Sequence, residues 1–144
     1  MATLATARQA RFAPGAPAGA DACAIACGLV DRQWAALAAE LPEMVDAAGM
    51  RPVELWFVWG VLAELLDDDV DPVRQALADY LRRRHRRPAE EASVLATAVQ
   101  RACTVHNGFV DGVALGGRQA ARGADDRSFL AAALFLQHAL PPMR

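Results

Sequence analysis

Three cysteines and one histidine stand at spacings that could make them share a ligand. Cys23 and Cys27 are four residues apart and Cys103 and His106 three apart, so each pair occupies one face if its segment is helical. Were those helices packed together, three thiolates and an imidazole would make the ligand set of a structural zinc site. Zinc motifs usually place at least one tight pair on a glycine-bearing loop, and neither pair has one around it. Cysteine also serves as a small apolar residue in close helix packing, and that is the use the surroundings favour. Cys103 beside His106 poses a thiol nucleophile with an imidazole to activate it. A disulfide between Cys23 and Cys27 within one helix would be strained.

Charged side chains form two clusters of opposite sign. Arg82, Arg83, Arg84, Arg86 and Arg87 flank His85 in a run of guanidinium groups able to grip phosphates or an acidic protein segment in bidentate fashion. The same run would also stabilise the negative end of a helix dipole. Asp67, Asp68, Asp69 and Asp71 could offer oxygen ligands to a hard cation. They lack the glycine and terminal glutamate of a calcium loop, and read as a solvated turn capping the next helix. The acidic turn of a second copy is one surface on which the arginines could dock. With a net charge of −2 and a pI near 5.9, the whole molecule has no electrostatic pull toward nucleic acid. Such binding would rest on the arginine run alone, where Tyr80 is the nearest aromatic.

Enzymatic signatures are missing. Gly108, Gly112, Gly116 and Gly117 follow no strand-like segment, and a chain without lysine has no Gly-Lys-Ser or Gly-Lys-Thr element. Ser93 and Ser128 are the only serines, and neither sits in a nucleophile elbow. His138 falls near the carboxyl end of the last apolar segment, where a histidine can interact with the final carbonyls. Catalysis gains no positive support, and no cofactor is implied.

These residues must be positioned by a chain of 144 residues that is 54% apolar, 22% charged and 6% aromatic, the composition of one domain with a substantial core. Disordered, collagen-like and disulfide-scaffold classes are excluded by the apolar content, the aperiodic glycines and the three cysteines. All fifteen basic residues are arginine and alanine is abundant, a bias that suits a GC-rich bacterial genome. The odd cysteine count, with proline and glycine rather than an apolar stretch after Arg8 and Arg11, points to a reducing cytoplasm. The longest apolar run, residues 55–63, is well short of the roughly 18 residues of a membrane span.

Residues 1–19, acid-free and broken by Pro14, Gly15 and Pro17, read as a flexible arm, and residues 20–144 as a single helical domain. Ile25, Leu29, Trp34, Leu37 and Leu41 recur at helical steps and predict a first helix over residues 21–41. A short helix follows Pro42 to about residue 48, closed by Gly49. The segment from Pro52 to Leu66 is apolar nearly all round apart from Glu54 and Glu64, so it must be either the central element or covered by a second copy. Asp71 and Pro72 predict the start of a helix running to about residue 87, and Pro88 with Glu90 and Glu91 one running to about residue 106. Asn107 and Gly108 read as its terminator. Residues 109–115 predict a turn or two more of helix, interrupted by Gly116 and Gly117. Asp125 or Asp126 caps a last helix carrying Phe129, Leu130, Leu134 and Phe135.

Leu65, Asp67, Asp68, Asp71, Val73, Arg74, Leu77 and Leu81 resemble the turn and second helix of a HEAT-like repeat, in which an acidic turn precedes a valine–arginine pair. The pattern occurs once, so it implies a helix–turn–helix and no stacked array. The Cys103–His106 pair invites comparison with the alkylhydroperoxidase-D and carboxymuconolactone decarboxylase group. Paired cysteines three apart are lacking, however, and Gly123 stands too far beyond His106.

The expectation is an all-α protein, a compact bundle of five or six helices with a flexible N-terminal arm. Trp56, Phe57 and Trp59, together with Phe129 and Phe135, are expected to form an interface, because so small a domain would struggle to cover them. The function expected is a non-catalytic adaptor, regulator or small chaperone that binds another protein and self-associates. A nucleic-acid-binding regulator using Arg82 to Arg87 is one alternative. A metal- or small-ligand-binding protein using Cys23, Cys27, Cys103 and His106 is the other.

Overall fold

A computed structural model of the chain describes residues 18–40, 52–105 and 107–123. The expected arm at residues 1–17, the short helix at 42–48, His106, and the last helix with Phe129, Phe135 and His138 lie outside the described residues. Those described are 88% helical with no strand among them, and they form a compact all-α bundle. Its helices are α1 (Ala18–Glu40), α2 (Pro52–Leu65), α3 (Val70–His85), α4 (Ala89–Thr104) and α5 (Gly108–Ala121). None of them is long and apolar enough to cross a membrane.

The nearly all-apolar α2 is the central element. Twelve of its fourteen residues are buried, and α1, α3, α4 and α5 all pack on it. Its closest neighbour is α5, and glycine makes that approach possible. A Cβ on Gly60 would run into the Ala114 carbonyl, and one on Gly117 into the Phe57 carbonyl. Gly116 and Gly117, expected to interrupt helical structure, are therefore buried inside α5. Packing against a neighbouring backbone outweighs their weak helix propensity.

The expectation that Trp56, Phe57 and Trp59 would be left uncovered is corrected: each is at most 7% exposed. Trp56 meets the edge of Phe109 at a centroid separation of 5.7 Å and an interplanar angle of 90°. Neighbouring helices thus cover successive positions round α2, which is what a central helix requires.

Two turns depart from expectation, the one between α2 and α3 and the one between α4 and α5. Asp67 and Asp68 adopt the left-handed conformation in succession, with φ of 56° and 61°, a region that aspartate tolerates better than most residues. Asp68 receives Arg118 of α5 in an ion pair. The N-cap position of α3 is Asp69 rather than Asp71, and it makes no side-chain cap hydrogen bond; Asp71 lies in the first turn and pairs with Arg74 at 2.7 Å. Asn107, read as a terminator, instead opens α5: its side-chain oxygen accepts from the backbone N–H groups of Phe109 at 3.0 Å and Val110 at 3.3 Å.

Candidate functional site

The carboxyl end of α3 sorts its basic residues onto two sides. Arg84 and His85 turn inward. Arg84 Nη2 lies 2.8 Å from Asp31 Oδ1 of α1. Burial opposes its charge, but the hydrogen bond to Asp31 prevails and raises its pKa above the ordinary arginine value. His85 reaches Glu54 of α2, a carboxylate only 3% exposed.

Glu54 gathers three side chains from two other helices. Trp34 Nε1 of α1 donates to Oε1 at 2.9 Å. Tyr80 of α3 donates its hydroxyl to Oε2 at 2.9 Å, and His85 Nε2 stands 2.5 Å from the same oxygen. An ionised carboxylate only accepts, so this arrangement calls for a proton on Nε2. Burial, then the neighbouring Glu54 charge, drives the Tyr80 pKa well above that of an ordinary phenol, holding the hydroxyl in its donating form. The cluster satisfies a buried charge and pins the end of α3 to α1 and α2.

Arg82, Arg83, Arg86 and Arg87 face the other way. With Asp79, Pro88 and Ala89 they line an open hollow of about 660 Å³. Arg83 Nε is held by Asp79 at 3.1 Å, one turn back, and Arg87 Nη1 by Glu91 of α4 at 2.9 Å. Arg82 and Arg86 are exposed and have no hydrogen-bond or ion-pair partner among the described residues. Among the described residues no aromatic side chain lines the hollow. Four of the five arginines in the run are thus brought together, while Arg84 is tied to Asp31 of α1.

The cysteines are divided between two places. Cys23 is buried on α1 beside Cys27, close enough to Asp79 and Arg83 of α3 to feel their charges, whereas Cys103 on α4 feels Asp111 of α5. Burial pushes both the Cys23 and Cys103 thiols up to about 12, so neither supplies a thiolate near neutral pH. Among the described residues no group of three or more His, Cys, Asp or Glu is placed to hold a metal ion.

Glu54 escaped sequence reasoning as a site residue because its three partners lie 20, 26 and 31 residues away. The available signal was one acidic residue inside an otherwise apolar helix. No protein-family model matches this chain, and neither curated proteins nor solved structures provide a match.

Proposed function

We propose that this chain is a non-catalytic helical interaction module that receives an acidic segment of a partner protein in the arginine-lined hollow at the end of α3. The observation that carries the reading is the pair Arg82 and Arg86, two guanidinium groups with no partner among the described residues at the wall of one open hollow. Planar guanidinium forks match carboxylates, and electrostatic complementarity would set orientation and association rate. The raised thiol pKa values of Cys23 and Cys103 favour a binding role over nucleophilic catalysis.

Nucleic acid is the less suitable occupant, since the described residues that line the hollow include no aromatic on which a base could stack. The acidic turn of a second copy suits it poorly too, because Asp68 and Asp71 are engaged by Arg118 and Arg74. Titration of a tetraglutamate peptide, followed by NMR, tests the reading. Saturable shifts at Arg82 and Arg86 that weaken with salt and vanish in an R82Q/R86Q variant are expected. Absence of any shift in the unaltered protein would sink the proposal.

A further inference from the structure

We infer that the preferred ligand of this hollow is a phosphoryl dianion, carried on a phosphorylated side chain of the acidic segment. This deepens the preceding reading and rests on it. Charge is the first argument. Four guanidinium groups line the hollow, and the carboxylates of Asp79 and Glu91 compensate two of them. Two positive charges remain, matching the roughly −1.5 to −2 of a phosphate monoester at neutral pH.

Backbone conformation is the second. Arg86 ends α3 in the left-handed region, at φ 52° and ψ 36°, with its N–H turned back to the Leu81 carbonyl. Glycine is the usual residue at such a helix end, because a Cβ is disfavoured there. The left-handed residue closes the helix in a common way, the Arg87 N–H reaching the Leu81 carbonyl at 3.2 Å, but arginine rather than glycine at that point brings a guanidinium to the same hollow as Arg82.

A third argument is an orphan donor. Arg87 Nε is buried and has no hydrogen-bond partner among the described residues, although Nη1 of the same side chain is held by Glu91. A phosphoryl group bound between Arg82 and Arg86 has three terminal oxygens to distribute. One of them is available to Arg87, whose side chain lines the same hollow. A single carboxylate carries one negative charge, against the two uncompensated positive charges of the hollow.

The experiment is an NMR titration of the full chain, reading the arginine Nε–Hε resonances at constant ionic strength. The probes are N-acetyl-phosphoserine amide, inorganic phosphate, N-acetyl-glutamate amide, tetraglutamate and a short DNA duplex. Phosphoserine amide is expected to shift Arg82, Arg86 and Arg87 and to bind about tenfold more tightly than glutamate amide. Weaker binding of inorganic phosphate than of phosphoserine amide identifies the side-chain ester as the source; the reverse order overturns that source. R86G, which relieves the left-handed backbone, is expected to raise the thermal midpoint while weakening phosphoserine binding about tenfold, and R82Q to weaken it similarly. Equal binding of glutamate and phosphoserine amides, or undiminished binding by R86G, overturns the inference. Tetraglutamate binding without phosphoserine binding defeats the inference alone, and failure of both defeats the docking reading as well. Tighter binding of the duplex than of either peptide-type ligand overturns both in favour of nucleic acid.

Discussion

His85 Nε2 of α3 lies 2.5 Å from Glu54 Oε2 of α2, joining residues 31 positions apart through a carboxylate that is almost wholly enclosed. The same oxygen accepts from Tyr80 and the other from Trp34. One buried charge therefore holds α1, α2 and α3 together, directly behind the end of α3 that presents the arginines.

Removing that charge strands three donors. Glu54→Ala is expected to destabilise the fold by about 3–5 kcal/mol, the range for breaking a buried ionic cluster by losing one member. Glu54→Gln, which keeps the shape and one acceptor, should cost about 1–3 kcal/mol. Urea unfolding followed by tryptophan fluorescence measures both. A loss below about 0.5 kcal/mol in the alanine variant would contradict the role assigned to Glu54.

Helix α5 approaches α2 too closely for side chains at two positions. Gly60→Ala and Gly117→Ala place a methyl group against the backbone of Ala114 and Phe57 respectively, and each is expected to cost about 1–3 kcal/mol or more. A methyl group added at Gly28 in α1 or Gly112 in α5 would meet none of the described residues within 4 Å, so alanine there should stabilise by about 0.4–1 kcal/mol. Thermal midpoints of the four variants should split in opposite directions. A uniform response would contradict the close crossing.

Alkaline pH should weaken the fold. In the folded protein Cys23 and Cys103 keep their protons up to about 12, against an ordinary value of 9.0. Their contribution is complete below pH 9 and is lost as pH rises toward 12, because the unfolded chain then releases protons the folded chain retains. Urea midpoints measured from pH 8 to about 10.5 should fall above pH 9, and less steeply in a C23A/C103A variant. Equal slopes in the two proteins would refute the assignment to these thiols. Tyr80, raised in the same direction, accounts for the decline that remains.

Asn107 closes the first turn of α5 by accepting two backbone N–H groups. Asn107→Ala should cost about 0.5–2 kcal/mol, and Asn107→Asp or Asn107→Ser much less, since either can accept the same bonds. Hydrogen exchange at Phe109 and Val110 is the local readout. Unchanged protection in the alanine variant would count against the cap.

Local chemistry made much of the fold legible. Proline, glycine and aspartate punctuation, with apolar residues at helical steps, is enough to read α1 to α4 and the first turns of α5, and the density of apolar residues from Val53 to Leu66 already required that α2 be covered on most sides. These features act within a few residues of one another, and a sequence displays them directly. The basic run was legible for the same reason.

Other features depend on separations that no local pattern encodes. Whether the α2 aromatics faced a second copy or their own neighbours depended on whether α5 could come near enough. Gly60 and Gly117 permit that approach, yet in the sequence Gly117 looks like a break and Gly60 draws no notice. The acidic turn was legible as charge, but its tie to Arg118 spans 50 residues. Glu54 looked like the polar edge of an apolar helix until Trp34, Tyr80 and His85 converged on it. The sequence by itself determined the helical segments up to α4 and where charge accumulates, because propensity, capping and periodicity are short-range. Only the tertiary structure decided which basic residues are tied down and which are left to solvent, because that depends on the nearest opposite charge in space: Asp31 holds the half-buried Arg84 and the enclosed Glu54 holds His85, while Arg82 and Arg86 stay on the surface with no partner among the described residues.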